Sequence, residues 1–167
     1  MAGNWRIGSF NGALLAAYFI PAWTIAASRI VASPIHGLYE LPNVSLALFV
    51  SDQLQLSGMA TVRVALLLAL ARLTVVAFLA VFLFFISRPS IREGGTCDEA
   101  LGIALSIGSA MSFAGVLMAS QAGETAALRL HAAELMMMLG TIIVMLIERP
   151  APPQAGAVRD SLSLQQS

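Results

Sequence analysis

Charged side chains are scarce in this sequence, and one kind is missing altogether. Only 11% of the 167 residues are charged whereas 58% are hydrophobic, and all nine basic residues are arginine because lysine does not occur. Soluble domains carry about 25% charged residues, so this balance excludes an ordinary soluble protein. The formal net charge is zero and the sequence has no basic stripe, so we expect no nucleic-acid partner. The expected surroundings are a lipid bilayer.

Cysteine and catalytic motifs are also nearly absent. The single cysteine, Cys97, has no second cysteine in the chain with which to form a disulfide, and alone it cannot supply the ligands of a structural zinc site. The sequence has no serine elbow, paired-histidine metalloprotease helix or glycine-rich phosphate loop. We therefore predict no catalytic or metal-binding residue and no cofactor, and we favour a non-enzymatic protein. Haem ligation by His36 and His131 is the alternative.

Four long apolar segments dominate the sequence. They lie at about 10–31, 64–86, 100–119 and 126–147. A helix needs about 20 apolar residues to cross the hydrocarbon core of a bilayer, and each segment reaches or nearly reaches that length. The sequence thus predicts an all-α membrane protein, a four-helix transmembrane bundle, within one integral membrane domain over residues 1–149. Residues 150–167 lack apolar periodicity and are predicted to be a disordered tail.

The arginine distribution predicts the orientation, because the cytoplasmic ends of membrane helices carry more basic residues. With the N-terminus inside, five arginines lie on the inner side: Arg6, Arg88, Arg92, Arg149 and Arg159. Three lie on the outer side: Arg29, Arg63 and Arg129. We expect a multi-pass protein of the inner (plasma) membrane with both termini in the cytoplasm. Alternatively, residues 1–28 are a cleaved signal peptide, since Arg6 precedes an apolar run that ends in small residues.

The longest connection between apolar segments, residues 32–63, contains the apolar stretch VSLALFV at 44–50. Seven residues are too few to span a bilayer as a helix. Asn43 is a favourable helix cap. Apolar residues then recur at helical spacing with polar residues between them: Leu46, Phe49, Val50 and Leu54 against Ser45, Asp52 and Gln55. We predict a short amphipathic helix over about 43–56 that lies on the outer membrane face or plugs the mouth of the bundle. A β-hairpin is the alternative.

Two charged side chains, Arg72 and Glu134, lie well inside the apolar segments, away from the segment ends. A charge at the centre of a membrane helix costs about 2.5–3.5 kcal/mol on an insertion scale and by default suggests function. Arg72 lies roughly 13 Å deeper than Arg63, and Glu134 approaches from the same side. Because arginine keeps its charge, we predict an ion pair between Arg72 and Glu134, with His131 one helical turn from Glu134.

This charge cluster of Arg72, His131 and Glu134 permits two functions. We favour a structural ion pair in an accessory, assembly or scaffold subunit of an inner-membrane complex, whose partners are lipid and other membrane subunits or a second copy. The scarcity of polar residues in the apolar segments supports this interpretation. The alternative is a small proton- or ion-coupled transporter in which the cluster relays charge.

Two further sets of residues are candidates for function or assembly. A polar site on the outer side would combine His36, Glu40 and Asp52. In the third apolar segment small residues recur every three or four positions: Ala104, Gly108, Ser112, Gly115 and Ala119. Such a row lets another helix approach closely. Its partner is either the fourth helix of this chain or a helix of another subunit.

Overall fold

A computed structural model describes residues 7–88 and 96–148, and those ranges contain helices and no β-strand. Six α-helices follow one another: α1 (Ile7–Ala32), α2 (Pro34–Leu38), α3 (Val44–Leu48), α4 (Gly58–Ile86), α5 (Thr96–Ala122) and α6 (Thr125–Glu148). A π-helical turn, Phe49–Gln53, continues α3. The β-hairpin alternative for the connection between α1 and α4 is therefore wrong. The predicted tail, residues 150–167, lies outside the described residues.

The four long helices predicted from the apolar segments are present. They are α1, α4, α5 and α6, with 26, 29, 27 and 24 residues. At about 1.5 Å per residue these helices are roughly 36–44 Å long. Within the described ranges, these four helices are long and apolar enough to cross a membrane. Each extends its predicted segment by one or more residues, because neighbouring polar residues continue the helix.

The four long helices form a closed ring in the order α1, α4, α5 and α6, with α6 returning to α1. Consequently α4 and α6 lie diagonally across the ring, as do α1 and α5. Large buried side chains from all four helices meet inside it: Phe19, Trp23, Leu79, Phe82, Leu101, Leu105 and Met138. Lipid is as apolar as these side chains, so close packing and hydrogen bonds hold such a bundle together in a membrane.

Helices α5 and α6 form an antiparallel hairpin with a two-residue connection. Gly123 has a φ of +71°, the left-handed conformation in which a helix often ends at glycine. The backbone N–H of Glu124 donates to the carbonyl of Ala119 at 3.1 Å, which closes the last turn of α5 in a Schellman arrangement. This tight turn brings the two helices directly side by side.

The small-residue row of α5 lies in the interior of this chain. At Gly108 a Cβ atom would be 2.7 Å from Sδ of Met138, and at Gly115 it would be 2.7 Å from the ring of His131. At these two positions the row therefore packs against α6 rather than against another subunit. The other three members are also buried: Ala104, Ser112 and Ala119.

The connection between α1 and α4, residues 33–57, folds into one end of the bundle, and we call it the plug. Four of its residues are each 1% exposed: Asn43, Ser45, Ala47 and Val50. Leu38 and Ala47 join a second apolar core with residues of α1 and α4. Of the two positions predicted for this segment, the structure has the one in which it closes the mouth of the bundle.

The predicted amphipathic helix over 43–56 is corrected in its details. Its α-helical part ends at Leu48. Asn43 makes no side-chain cap but donates from Nδ2 to the carbonyl of Gly37 at 2.7 Å. Ser45 is buried, whereas Leu54 is 52% exposed, which reverses the faces predicted for these two residues. Ser45 lines a cavity that Arg72 and Glu134 also line.

Candidate functional site

A group of polar side chains is buried in the bundle beside the plug, and we call it the polar cluster. It consists of Trp23 from α1, Arg72 from α4, Ser112 from α5, and His131 and Glu134 from α6. Each of these residues is at most 6% exposed. Arg72 is the middle residue of α4, so the cluster lies near the middle of the bundle and receives one or more side chains from every long helix.

Glu134 is at the centre of the polar cluster. Its Oε1 accepts a hydrogen bond from Nε1 of Trp23 at 3.1 Å. Its Oε2 accepts one from Oγ of Ser112 at 3.4 Å and lies 3.1 Å from Nδ1 of His131. The indole N–H can only donate, whereas either the imidazole or the carboxyl group can carry the hydrogen between His131 and Glu134. One carboxylate oxygen is thus a fixed acceptor, whereas the other either accepts a hydrogen bond from His131 or donates one to it.

Arg72 is buried with few partners. Its Nη2 donates to the carbonyl of Pro42 in the plug at 2.9 Å, whereas Nε and Nη1 have no hydrogen-bond partner among the described residues. Cζ lies 5.8 Å from the centroid of the Trp23 ring, within cation–π range. A guanidinium stays protonated in a protein. The direct contacts of this positive charge are therefore one neutral carbonyl and one aromatic ring.

The structure does not have the predicted direct ion pair between Arg72 and Glu134. The hydrogen bond of Arg72 goes to the plug, and those of Glu134 go to α1, α5 and its own helix. Helix order explains the difference, because α4 and α6 are diagonal in the ring. The indole of Trp23 contacts both groups and links them.

Two cavities adjoin the polar cluster, and Trp23, Pro42, Arg72 and Glu134 line both of them. The plug cavity also touches residues of α5 and has about 30 Å³ open to the centre of a water molecule. The seam cavity lies between α1 and α6 and has about 110 Å³ in the same measure. One buried water needs about 10–15 Å³. The plug cavity therefore has room for about two waters, and the seam cavity has room for a small molecule.

The seam between α1 and α6 has the sparsest contact of the four helix pairs in the ring. Tyr18, which is 43% exposed, lines both the seam cavity and a groove of about 140 Å³ farther along the seam. In that groove Nδ2 of Asn11 donates to Oγ1 of Thr141 at 3.0 Å, and Leu14 and Met137 form apolar walls. The polar cluster therefore has a side route along the seam, whereas the plug covers its end.

Within the described part of the chain, no hydrogen bond or ion pair joins the three residues of the second candidate site, His36, Glu40 and Asp52. His36 is exposed on α2. Oε2 of Glu40 pairs with Nη1 of Arg29 at 2.8 Å, and Asp52 lines a separate groove. In residues 7–88 and 96–148, no group of three or more histidine, cysteine, aspartate or glutamate side chains is placed to hold a metal ion. The proposed haem ligands also differ in surroundings, since His131 is buried.

Sequence reasoning missed Trp23 and the carbonyl of Pro42 as members of the site. A signal for Trp23 was present, because Trp23 lies nine residues before the end of α1 and Glu134 lies nine residues after the start of α6. Those two helix ends are at the plug side of the bundle, so both residues have the same depth. The sequence has no such signal for Pro42. Every residue has a backbone carbonyl, so the residue type does not reveal which carbonyl accepts the hydrogen bond.

The fold and the site together define a class of protein. Four long apolar helices, many of whose large apolar side chains are exposed, indicate a multi-pass membrane protein with a polar cluster in its interior. No protein-family model, curated protein or solved structure matches this chain.

Proposed function

We propose that this protein is a small proton- or ion-coupled transporter in which Glu134 and His131 bind the coupling proton. The observation that supports this proposal is the 3.1 Å contact between Nδ1 of His131 and Oε2 of Glu134, made by two side chains that are each 6% exposed. Buried ionisable groups within membrane helices are expensive and usually belong to ion or proton pathways. The plug cavity touches both of these side chains, and the seam cavity touches Glu134.

The surroundings of Glu134 suit both protonation states. When the carboxylate is ionised, the donors on Trp23 and Ser112 and the nearby charge of Arg72 stabilise it. When Glu134 is protonated, its O–H can donate to Nδ1 of His131 while Oε1 still accepts from Trp23. A purely structural carboxylate needs only one of these arrangements. An environment that stabilises both is what a site that binds and releases protons requires.

The accessory-subunit hypothesis becomes the second choice. Two features of the sequence supported it: the scarcity of polar residues in the apolar segments, and the small-residue row of α5 as a contact surface for another subunit. At Gly108 and Gly115 that surface is already occupied by α6. Assembly with other membrane proteins or with a second copy stays a prediction, and purification from mild detergent that repeatedly gives the chain alone would contradict it.

We further propose that the protein lies in the inner membrane with the plug facing outward and both termini in the cytoplasm. The support is the arginine distribution of the sequence. Arg29, Arg63 and Arg129 lie near the plug end of the long helices, whereas Arg88 follows the opposite end of α4. In this orientation the plug closes the outer mouth of the bundle.

Proton flux into reconstituted vesicles tests the transporter proposal. Vesicles that contain a pH-sensitive dye are given an inward proton gradient together with sodium, potassium or chloride gradients in turn. We expect protein-dependent proton entry under at least one condition, and we expect Glu134→Gln to reduce it to the level of protein-free vesicles. Glu124→Gln, which changes a carboxylate in the α5–α6 turn, is the matched control and should retain the flux. If Glu134→Gln and Glu124→Gln give the same flux under every condition, the proposal is wrong.

A further inference from the structure

The buried guanidinium of Arg72 lacks an anionic partner in direct contact. Arg72 is 5% exposed, and two of its three nitrogens have no hydrogen-bond partner in the described chain. Burying a charge is costly unless hydrogen bonds or an opposite charge compensate for it. The single bond to the carbonyl of Pro42 leaves most of its donors unused. Arg72 is also one of the residues that line both cavities.

The seam cavity matches a small organic anion in size and lining. The centre of a water molecule can move through about 110 Å³ of this cavity. That volume is roughly seven times the space that one water needs. Arg72 supplies the positive charge of the cavity. The other residues that line the cavity include Ala22, Ala26 and Leu130, which have aliphatic side chains. A planar guanidinium matches the geometry of a carboxylate. The aliphatic lining suits a short hydrocarbon part attached to that carboxylate.

We propose that the seam cavity binds a monocarboxylate, with its anionic group on the guanidinium of Arg72 and its hydrocarbon part between α1 and α6. A single negative charge is required, because the carboxylate of Glu134 lines the same cavity and repels a second one. The ligand reaches the cavity along the seam, past Tyr18. It comes either from water, as a short carboxylate, or from the bilayer, as a long-chain carboxylate.

Monocarboxylate binding deepens the proposed function. The coupling of this binding to protons rests on that proposed function. The charged or titratable groups that face the cavity are Arg72 from α4, Glu134 with its neighbour His131 from α6, and Tyr18 from α1. The anion is repelled by ionised Glu134, so it binds more tightly when the Glu134–His131 pair has taken up a proton. Monocarboxylate affinity should therefore rise as the pH falls, and binding should take up protons.

Trp23 offers a direct readout of ligand binding. Its ring lies 5.8 Å from Cζ of Arg72, and its Nε1 donates to Glu134. The chain has two tryptophans, so Trp5→Phe leaves Trp23 as the only one. The fluorescence of this variant, purified in an uncharged detergent, is followed while sodium acetate or sodium octanoate is added at constant ionic strength. Sodium chloride is the control for an anion without a hydrocarbon part. Octanol is the control for the hydrocarbon part without a charge.

We expect a saturable fluorescence change with at least one carboxylate and none with chloride or octanol. A response to acetate indicates a ligand from water, a response to octanoate alone indicates one from the bilayer, and both results support the proposal. Arg72→Gln should weaken binding by about tenfold or more, as expected for losing a charge-assisted hydrogen bond. Arg72→Lys should retain part of it. A response to chloride equal to that of the carboxylates, or no saturable response at all, would overturn the proposal.

Glu134→Gln provides a test that does not depend on the folding of an Arg72 variant. Removal of the repelling charge should tighten carboxylate binding severalfold at neutral pH and reduce its pH dependence. Unchanged or weaker binding in Glu134→Gln contradicts the proposed position of the anion. Failure of the two proposals is distinguishable. Glu134-dependent proton flux without carboxylate binding removes this inference alone, whereas Arg72-dependent binding without any proton flux removes the transporter proposal alone.

Discussion

Gly115 is where the packing of α5 on α6 reaches the polar cluster. A Cβ atom there would be 2.7 Å from Cγ and Cδ2 of His131, whereas carbon atoms pack best at about 3.5–4.0 Å. The ring is not free to swing away, because its Nδ1 contacts Glu134. Gly115→Ala therefore has to displace either the ring or the helix. Gly102 is the matched control on the same helix, since a Cβ atom there meets nothing within 4 Å.

The two substitutions share one energy term and differ in another. Glycine to alanine in a helix interior gains about 1 kcal/mol from helix propensity at either position. Overpacking costs about 1–3 kcal/mol and applies only at Gly115. We therefore expect the free energy of unfolding of Gly115→Ala to be about 1–3 kcal/mol lower than that of Gly102→Ala. Gly102→Ala itself should be at least as stable as the parent protein.

Unfolding in mixed micelles with increasing sodium dodecyl sulfate, followed by far-ultraviolet circular dichroism, measures this difference. A third variant identifies the clashing group, because His131→Ala removes the ring and should make the added methyl group at position 115 harmless. Equal stability of Gly115→Ala and Gly102→Ala would refute the close approach of α5 to His131. A clash that persists without the ring would place the tight contact elsewhere.

Two further predictions follow from the hydrogen bonds and ion pairs. Trp23→Phe keeps an aromatic ring but removes the donor to Glu134, so it should lower the free energy of unfolding by about 1–3 kcal/mol. The same substitution should cost less in a Glu134→Gln background, and strict additivity in this double-mutant cycle would contradict the bond. The Arg29–Glu40 pair has side chains that are 59% and 28% exposed, so Glu40→Gln should cost less than about 1 kcal/mol. A larger loss in the same unfolding assay would mean that this pair holds the plug in place.

The long helices could be predicted from the sequence because lipid imposes a simple requirement on it. A chain that crosses a bilayer has to satisfy its backbone hydrogen bonds internally, so about 20 consecutive apolar residues predict a helix. The helix that contains Arg72 and the one that contains Glu134 were both identified in this way. The buried charges themselves stood out because each is expensive in such a helix.

The contacts of those charges could not be predicted, because they depend on the order of helices around the ring. Short connections make consecutive helices neighbours, but nothing in the sequence shows which pairs are diagonal. Arg72 and Glu134 fall on a diagonal pair, so Trp23 from α1 comes between them. Ser45 shows the same limit. A serine next to apolar residues was expected to face water, but the interior that the plug covers is itself polar.

The tight turn at Gly123 makes most of the surroundings of Glu134 local to one hairpin. It pairs α5 with α6, so Ser112 and His131 are already beside Glu134 when only this C-terminal hairpin has formed. Two of the three hydrogen-bond partners of the carboxyl group thus belong to the same hairpin, and the third, Trp23, belongs to α1. Even in a hairpin of α5 and α6 alone, Glu134 is therefore not a solitary carboxylate.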